Sequence, residues 1–94
     1  MNLSEYNQRQ LSLMKEMLEL YTSDKLSLKK LIDNLEGLLY CLQSVDAEWK
    51  NEFHEHWFVL EQVYAVSLYR HESIDRDDSD IQESLGKLSF LLKS

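Results

Sequence analysis

The chain has 94 residues and a formal net charge of -7, with only 2 glycines, no proline and 1 cysteine. So few turn-forming residues argue against an all-β chain, and a single cysteine excludes an internal disulfide, which fits a reducing compartment. The acidic charge disfavours direct binding to nucleic acid or anionic membranes and favours a basic protein partner, although solubility is the simpler explanation.

The chain carries no sequence feature of export or membrane insertion. Its first ten residues, MNLSEYNQRQ, contain no apolar run after a basic start, so we expect no signal peptide. No apolar stretch approaches the roughly 20 residues that span a bilayer. Because no repeat, low-complexity tract or linker divides the chain, we expect a cytoplasmic protein with a single domain over residues 1–94.

Two amphipathic helices are predicted in the first half. The first is capped by Ser4 and ends at the sequence TSDK (22–25), and Ser27 caps the second. Gly37 interrupts the leucine stripe of the second helix. A glycine in a helix interior destabilises the helix by about 1 kcal/mol relative to alanine. We expect the close approach of a neighbouring helix to be the reason. Cys41, within the apolar sequence LLYCLQ, is expected to pack in or near the core.

The third helix is predicted from a cap at Asp46 to about His71. A stripe of residues spaced 4, 4, 3 and 4 apart marks its core side. Beyond residue 58 the sequence is apolar on nearly every side, which predicts that this helix is the buried central element. The stripe consists of Trp49, Phe53, Trp57, Leu60 and Tyr64.

The last quarter of the chain is predicted as a polar loop followed by a fourth helix. The loop is HESIDRDDSD (71–80), and Asp78 or Ser79 caps the helix. Short links place successive helices antiparallel, so the sequence predicts an all-α, compact antiparallel four-helix bundle. The apolar stripe of the fourth helix is Ile81, Leu85, Leu88, Leu91 and Leu92.

Metal-binding and catalytic patterns do not fit. His54 and His56 are two residues apart and point about 160° away from each other on a helix, whereas helical metal pairs are spaced three or four apart. The loop departs from an EF-hand, with Asp80 at the sixth position and Gly86 at the twelfth. Without a phosphate-binding loop, nucleophile elbow or Cys–His–acid set, we expect no metal, cofactor or catalytic residue.

Two acidic groups are candidates for partner binding. The acidic strip, Glu48, Glu52 and Glu55, follows the spacing i, i+4 and i+7 on the third helix. Like charges at this spacing repel by a few tenths of a kcal/mol per pair, so the strip is either a solvated face or a recognition surface. The second group is either a solvated capping loop or a second part of that surface. This acidic loop comprises Asp75, Asp77, Asp78 and Asp80.

The third helix also carries a longer pattern, W-x3-F-x3-W-x2-L-E-x2-Y-A-x2-L, preceded by SLKKLIDNLEGL. Over roughly residues 26–92 the chain resembles the small helical immunity proteins of bacterial polymorphic toxin and contact-dependent growth inhibition systems, including the colicin D immunity type. The residues that carry the pattern are Trp49, Phe53, Trp57, Leu60, Glu61, Tyr64, Ala65 and Leu68.

This resemblance implies a function. Such proteins bind a cognate toxin domain, commonly a basic nuclease that cleaves tRNA or other RNA, and neutralise it one to one. An acidic bundle can occupy the basic cleft in place of RNA phosphates, and the acidic strip and acidic loop would suit that role. The alternative is a helical interaction or regulatory protein without a toxin, with a homodimer as one form.

Overall fold

Four α-helices make up most of the computed structural model, which describes residues 5–93. No strand occurs within that range. The helices pack in a ring, with α1 against α2, α2 against α3, α3 against α4 and α4 against α1. This arrangement confirms the predicted all-helical four-helix bundle. The bounds are α1 (Glu5–Thr22), α2 (Leu28–Cys41), α3 (Ala47–Arg70) and α4 (Ser79–Leu92).

Side-chain caps fix where three of the helices begin. Ser27, Asp46 and Asp78 each accept a hydrogen bond from a backbone N–H two or three residues further along the chain. These bonds satisfy donors that have no partner in the first turn of a helix. The predicted caps of α2, α3 and α4 are therefore confirmed, while the predicted cap at Ser4 lies outside the described residues.

The first half of α3 contributes its aromatic side chains to the core. Phe53, Trp57 and Leu60 are buried, and Trp49 and Tyr64 are half-buried against the same core. Both tryptophans also bond to a neighbouring helix. The indole N–H of Trp57 donates to the carbonyl of Ile32 in α2 at 2.9 Å, and that of Trp49 donates to the carbonyl of Leu91 in α4 at 3.2 Å. The predicted stripe is thus the side that α3 turns towards the bundle.

The second half of α3 is not the buried central element that its sequence predicts. The side chains of Phe58, Val66 and Leu68 are 44%, 47% and 58% exposed. α3 has 24 residues, whereas α2 and α4 on either side of it have 14. Its last turns therefore have too little neighbouring helix to cover them, and the prediction was wrong.

Two predictions for α2 were also wrong. A β-carbon placed at Gly37 would meet no heavy atom of another element within 4 Å, so no neighbouring helix approaches it closely. The thiol of Cys41 is exposed. At 100° per residue, both positions lie on the side opposite the buried stripe that is centred on Leu35. A leucine-rich sequence identified the helix but did not place these two residues outside its core side.

Tyr21 closes the core at the end of α1. The residue is 2% exposed, and its hydroxyl is buried with no hydrogen-bond partner among the described residues. Burial raises the pKa of Tyr21 above its usual value of 10.0, and the guanidinium of Arg76 opposes that rise. A buried hydroxyl without a partner destabilises a fold by about 1–3 kcal/mol.

We expect Tyr21→Phe to stabilise the protein, because it removes the unpaired hydroxyl and keeps the ring. The free energy of unfolding, measured by urea denaturation, should rise by about 1 kcal/mol. The matched control is Tyr69→Phe, at a side chain that is 87% exposed, and it should leave the value unchanged. Lower stability for Tyr21→Phe would mean that the hydroxyl has a partner in solution.

Candidate partner-binding surface

The acidic strip lies in solvent on the side of α3 next to α4. Glu48, Glu52 and Glu55 are all exposed, and none of them forms an ion pair with any residue between 5 and 93. Glu52 and Glu55 line a shallow groove of about 330 Å³ beside α4, with Lys87 among its lining residues. Lys87 is itself engaged by Glu83 at 3.3 Å. The strip therefore presents negative charge that the described part of the bundle does not neutralise.

The four members of the acidic loop have different surroundings. The carboxylate of Asp75 accepts a hydrogen bond from the N–H of Asp77 at 2.9 Å, and Asp78 is the half-buried N-cap of α4. Asp77 and Asp80 are exposed, and within the described range their carboxylates have no hydrogen bond or ion pair. Two of the predicted residues thus shape the loop, and the other two are available to a partner.

Arg76 fixes the acidic loop to the end of α1 and to the link between α1 and α2. Its guanidinium donates to the backbone carbonyls of Tyr21 at 2.5 Å and Leu26 at 3.1 Å. The same group lies 2.9 Å from the carboxylate of Asp24 and 4.4 Å from the centroid of the Tyr21 ring. This residue, the only arginine or lysine within 71–80, was not identified as important from the sequence. It makes the loop a fixed part of the surface.

A second and larger groove, which we call the valine groove, continues the same side of α3. Glu55 is followed one helical turn later by Val59, where this groove of about 560 Å³ begins. The loop and the start of α4 form the opposite side. Its apolar lining is Val59, Val63, Val66 and Ile74, and its charged lining is Arg70, Glu72, Asp75, Asp78 and Asp80.

The structure therefore brings most of the predicted residues onto one continuous face, which we call the α3–α4 face. Glu52 and Glu55 line its first groove, and Asp75, Asp78 and Asp80 line the valine groove. Glu48 and Asp77 line neither. The apolar part of this face was missed, because the valines of α3 were predicted to be core. The excess of apolar residues beyond position 58 was the sequence feature that could have identified it.

The two histidines of α3 have no shared ligand geometry. The ring of His54 lies over those of Trp57 and Phe58, with centroids 5.0 and 6.3 Å apart. Across residues 5–93, no group of three or more His, Cys, Asp and Glu side chains is placed to hold a metal ion. Of the helices that the structure describes, none has both the length and the apolar character needed to cross a membrane.

Comparison with known proteins adds no relative to this description. The chain matches no protein-family model, no curated protein and no solved structure. A function for this chain is therefore inferred from the residues of the α3–α4 face and from the pattern in α3.

We expect Arg76→Ala to destabilise the fold, because it leaves two backbone carbonyls without their charged donor and frees the acidic loop. The free energy of unfolding should fall by about 1–2 kcal/mol, since the arginine side chain is partly exposed. Chemical denaturation measures this change. Hydrogen exchange of the amides in residues 71–78 should also become faster.

Lys87→Ala is the matched control, because it removes a basic side chain whose ion pair with Glu83, the one it forms within residues 5–93, is exposed. Such a pair contributes about 0.5 kcal/mol or less. Equal stability losses in the two variants would show that Arg76 does not hold the loop.

Proposed function

We propose that the chain is an immunity protein that binds a basic toxin domain one to one and neutralises it through the α3–α4 face. The observation that carries this proposal is the acidic strip, three exposed carboxylates without an ion pair among the described residues. The resemblance of the α3 pattern to helical immunity proteins supports the same class of partner. A toxin that cleaves RNA, acting in the cytoplasm, would present the basic cleft that such a surface fits.

The spacing of the charges supports this mode of binding. Glu48, Glu52 and Glu55 place one carboxylate on each successive helical turn, over about 10 Å at 1.5 Å per residue. A basic cleft that follows an RNA backbone is built to hold a row of negative groups. Carboxylates in such a row would compete with the substrate by occupying the cleft, and no chemistry by the bundle is needed. The proposal therefore assigns no catalytic residue, cofactor or metal, and no direct contact with nucleic acid or membrane.

The acidic loop would extend this surface. Asp77 and Asp80 have carboxylates that are free to meet a basic partner, and Arg76 holds the backbone that carries them. A loop that is already fixed loses little conformational freedom on binding, so more of its interaction energy is available as affinity. Asp78 would contribute its charge from the N-cap of α4.

The proposal predicts that Glu52→Lys with Glu55→Lys slows association. The probe is the C-terminal domain of the protein encoded immediately upstream, mixed with the bundle in a stopped-flow instrument at two salt concentrations. At low salt the association rate constant should fall by about 10- to 100-fold, because reversal of the charge removes electrostatic steering. At high salt the difference should shrink, since salt screens exposed charges.

The control is Glu16→Lys with Glu19→Lys, an equal change in net charge at exposed positions of α1. Glu48 is left unchanged, because it lies in the first turn of α3, where a negative charge also stabilises the helix. Asp77→Lys tests the loop without disturbing the cap at Asp78. Absence of binding by the wild type, or equal slowing by both double variants, would contradict the proposal.

A second function is favoured by a different observation. Phe58, Leu68 and Tyr69 are exposed on α3 and line neither groove of the α3–α4 face, with exposed fractions of 44%, 58% and 87%. Such residues suit a helical interaction protein that associates with itself. Light scattering would then give a dimer that persists at high salt and becomes monomeric in Leu68→Arg. A monomer at all concentrations would remove this alternative.

A further inference from the structure

The valine groove has the form of a docking surface for another helix. Val59, Val63 and Val66 are spaced 4 and 3 apart, so they line one side of α3 on successive turns. Ile74 adds an apolar group from the loop. Val66 is 47% exposed. An apolar row of this kind, left open beside charged residues, is typical of a protein–protein contact.

The chemistry of the groove selects among the known ways of binding a peptide. Strand addition needs an exposed sheet edge, and residues 5–93 contain no strand. Polyproline segments bind in grooves lined by aromatic side chains, whereas the apolar lining here is aliphatic. The aliphatic row instead suits an amphipathic helix that places apolar residues at i, i+3 or i+4, and i+7 into an apolar groove. From Val59 to Arg70 the groove follows α3 for about 16 Å, which matches three turns of such a helix.

The charges of the groove indicate which residues should flank the apolar row of that helix. The charged lining of the groove contains four carboxylates and one guanidinium, that of Arg70. Asp75 and Asp78 are engaged within the loop, but Glu72 and Asp80 are exposed and have no side-chain hydrogen bond or ion pair in the described range. Lysine or arginine residues beside the apolar row would meet these two carboxylates.

We propose that the valine groove binds an amphipathic helix of the partner, with an apolar row flanked by lysine or arginine. This inference rests on the proposed function in taking the partner to be the basic toxin domain. The two parts of the α3–α4 face then have different roles in binding. The acidic strip sets the association rate through long-range charge, and the valine groove sets the dissociation rate through buried apolar contact.

The first test uses Val66→Ser in the full chain, with the same upstream-encoded domain. The dissociation rate constant should rise by about tenfold, because an apolar contact at the centre of the interface is lost without a change in charge. The association rate constant should change by less than about twofold. Leu13→Ser is the control, at an α1 side chain that is 40% exposed, and should leave both rate constants unchanged.

The second test needs no toxin. The probe is an acetylated amphipathic peptide of alanine, lysine and leucine, with the leucines at i, i+3 and i+7. We expect its addition to shift the NMR signals of residues 59–74 in the wild type but not in Val66→Ser. A peptide with glutamate in place of lysine should not bind, because the groove carries an excess of carboxylates.

The two tests separate failure of the inference from failure of the proposed function. Shifts confined to the groove, without binding of the toxin domain, would support the docking site and contradict the immunity role. Salt-sensitive binding of the toxin domain, with a dissociation rate that Val66→Ser does not change, would overturn the docking site and leave the immunity role standing. Peptide-induced shifts spread over other helices would overturn the docking site as well.

Discussion

The difference in length between α3 and its neighbours is the constraint on which the rest of this structure depends. α3 has 24 residues and packs between two helices of 14. Its first half is fixed by Trp49 and Trp57, whose indole groups bond to α4 and α2 while their rings cover the core. The neighbouring helices are too short to cover its second half, so side chains there stay exposed. The loop after Arg70 folds beside these turns, and together they create the valine groove.

Arg76 holds the acidic loop in one position, so that the loop forms a fixed side of that groove. Several aspartates in a short loop repel one another, and a solvated loop of this kind would sample many conformations. The arginine opposes this by donating to the carbonyls of Tyr21 and Leu26, and Asp75 and Asp78 bond to backbone N–H groups of the same segment. The carboxylates that remain free are thereby held in a preset arrangement, which lowers the entropic cost of meeting a partner.

Local sequence was sufficient to predict the helices but not to predict which of their residues are buried. The 3.6-residue period and the caps at Ser27, Asp46 and Asp78 predicted the helices, because those features involve residues within a few positions of each other. Burial of Cys41 and of the second half of α3 was predicted wrongly, since it depends on which helix lies alongside. Arg76 was missed for the same reason, because its carbonyl partners are 50 and 55 residues away.

The dimensions of the α3–α4 face limit the size of the partner that we propose for it. From Glu48 to Arg70 the face extends for about 33 Å along α3. An ordinary protein–protein interface covers about 800 Å² on each partner, which is roughly an eighth of the 6220 Å² accessible surface of this chain. A helix of three turns would fill the valine groove and leave the acidic strip in water. A partner that meets both parts at once has to extend along the full length of about 33 Å, so the proposed use of the whole face requires a partner longer than such a helix.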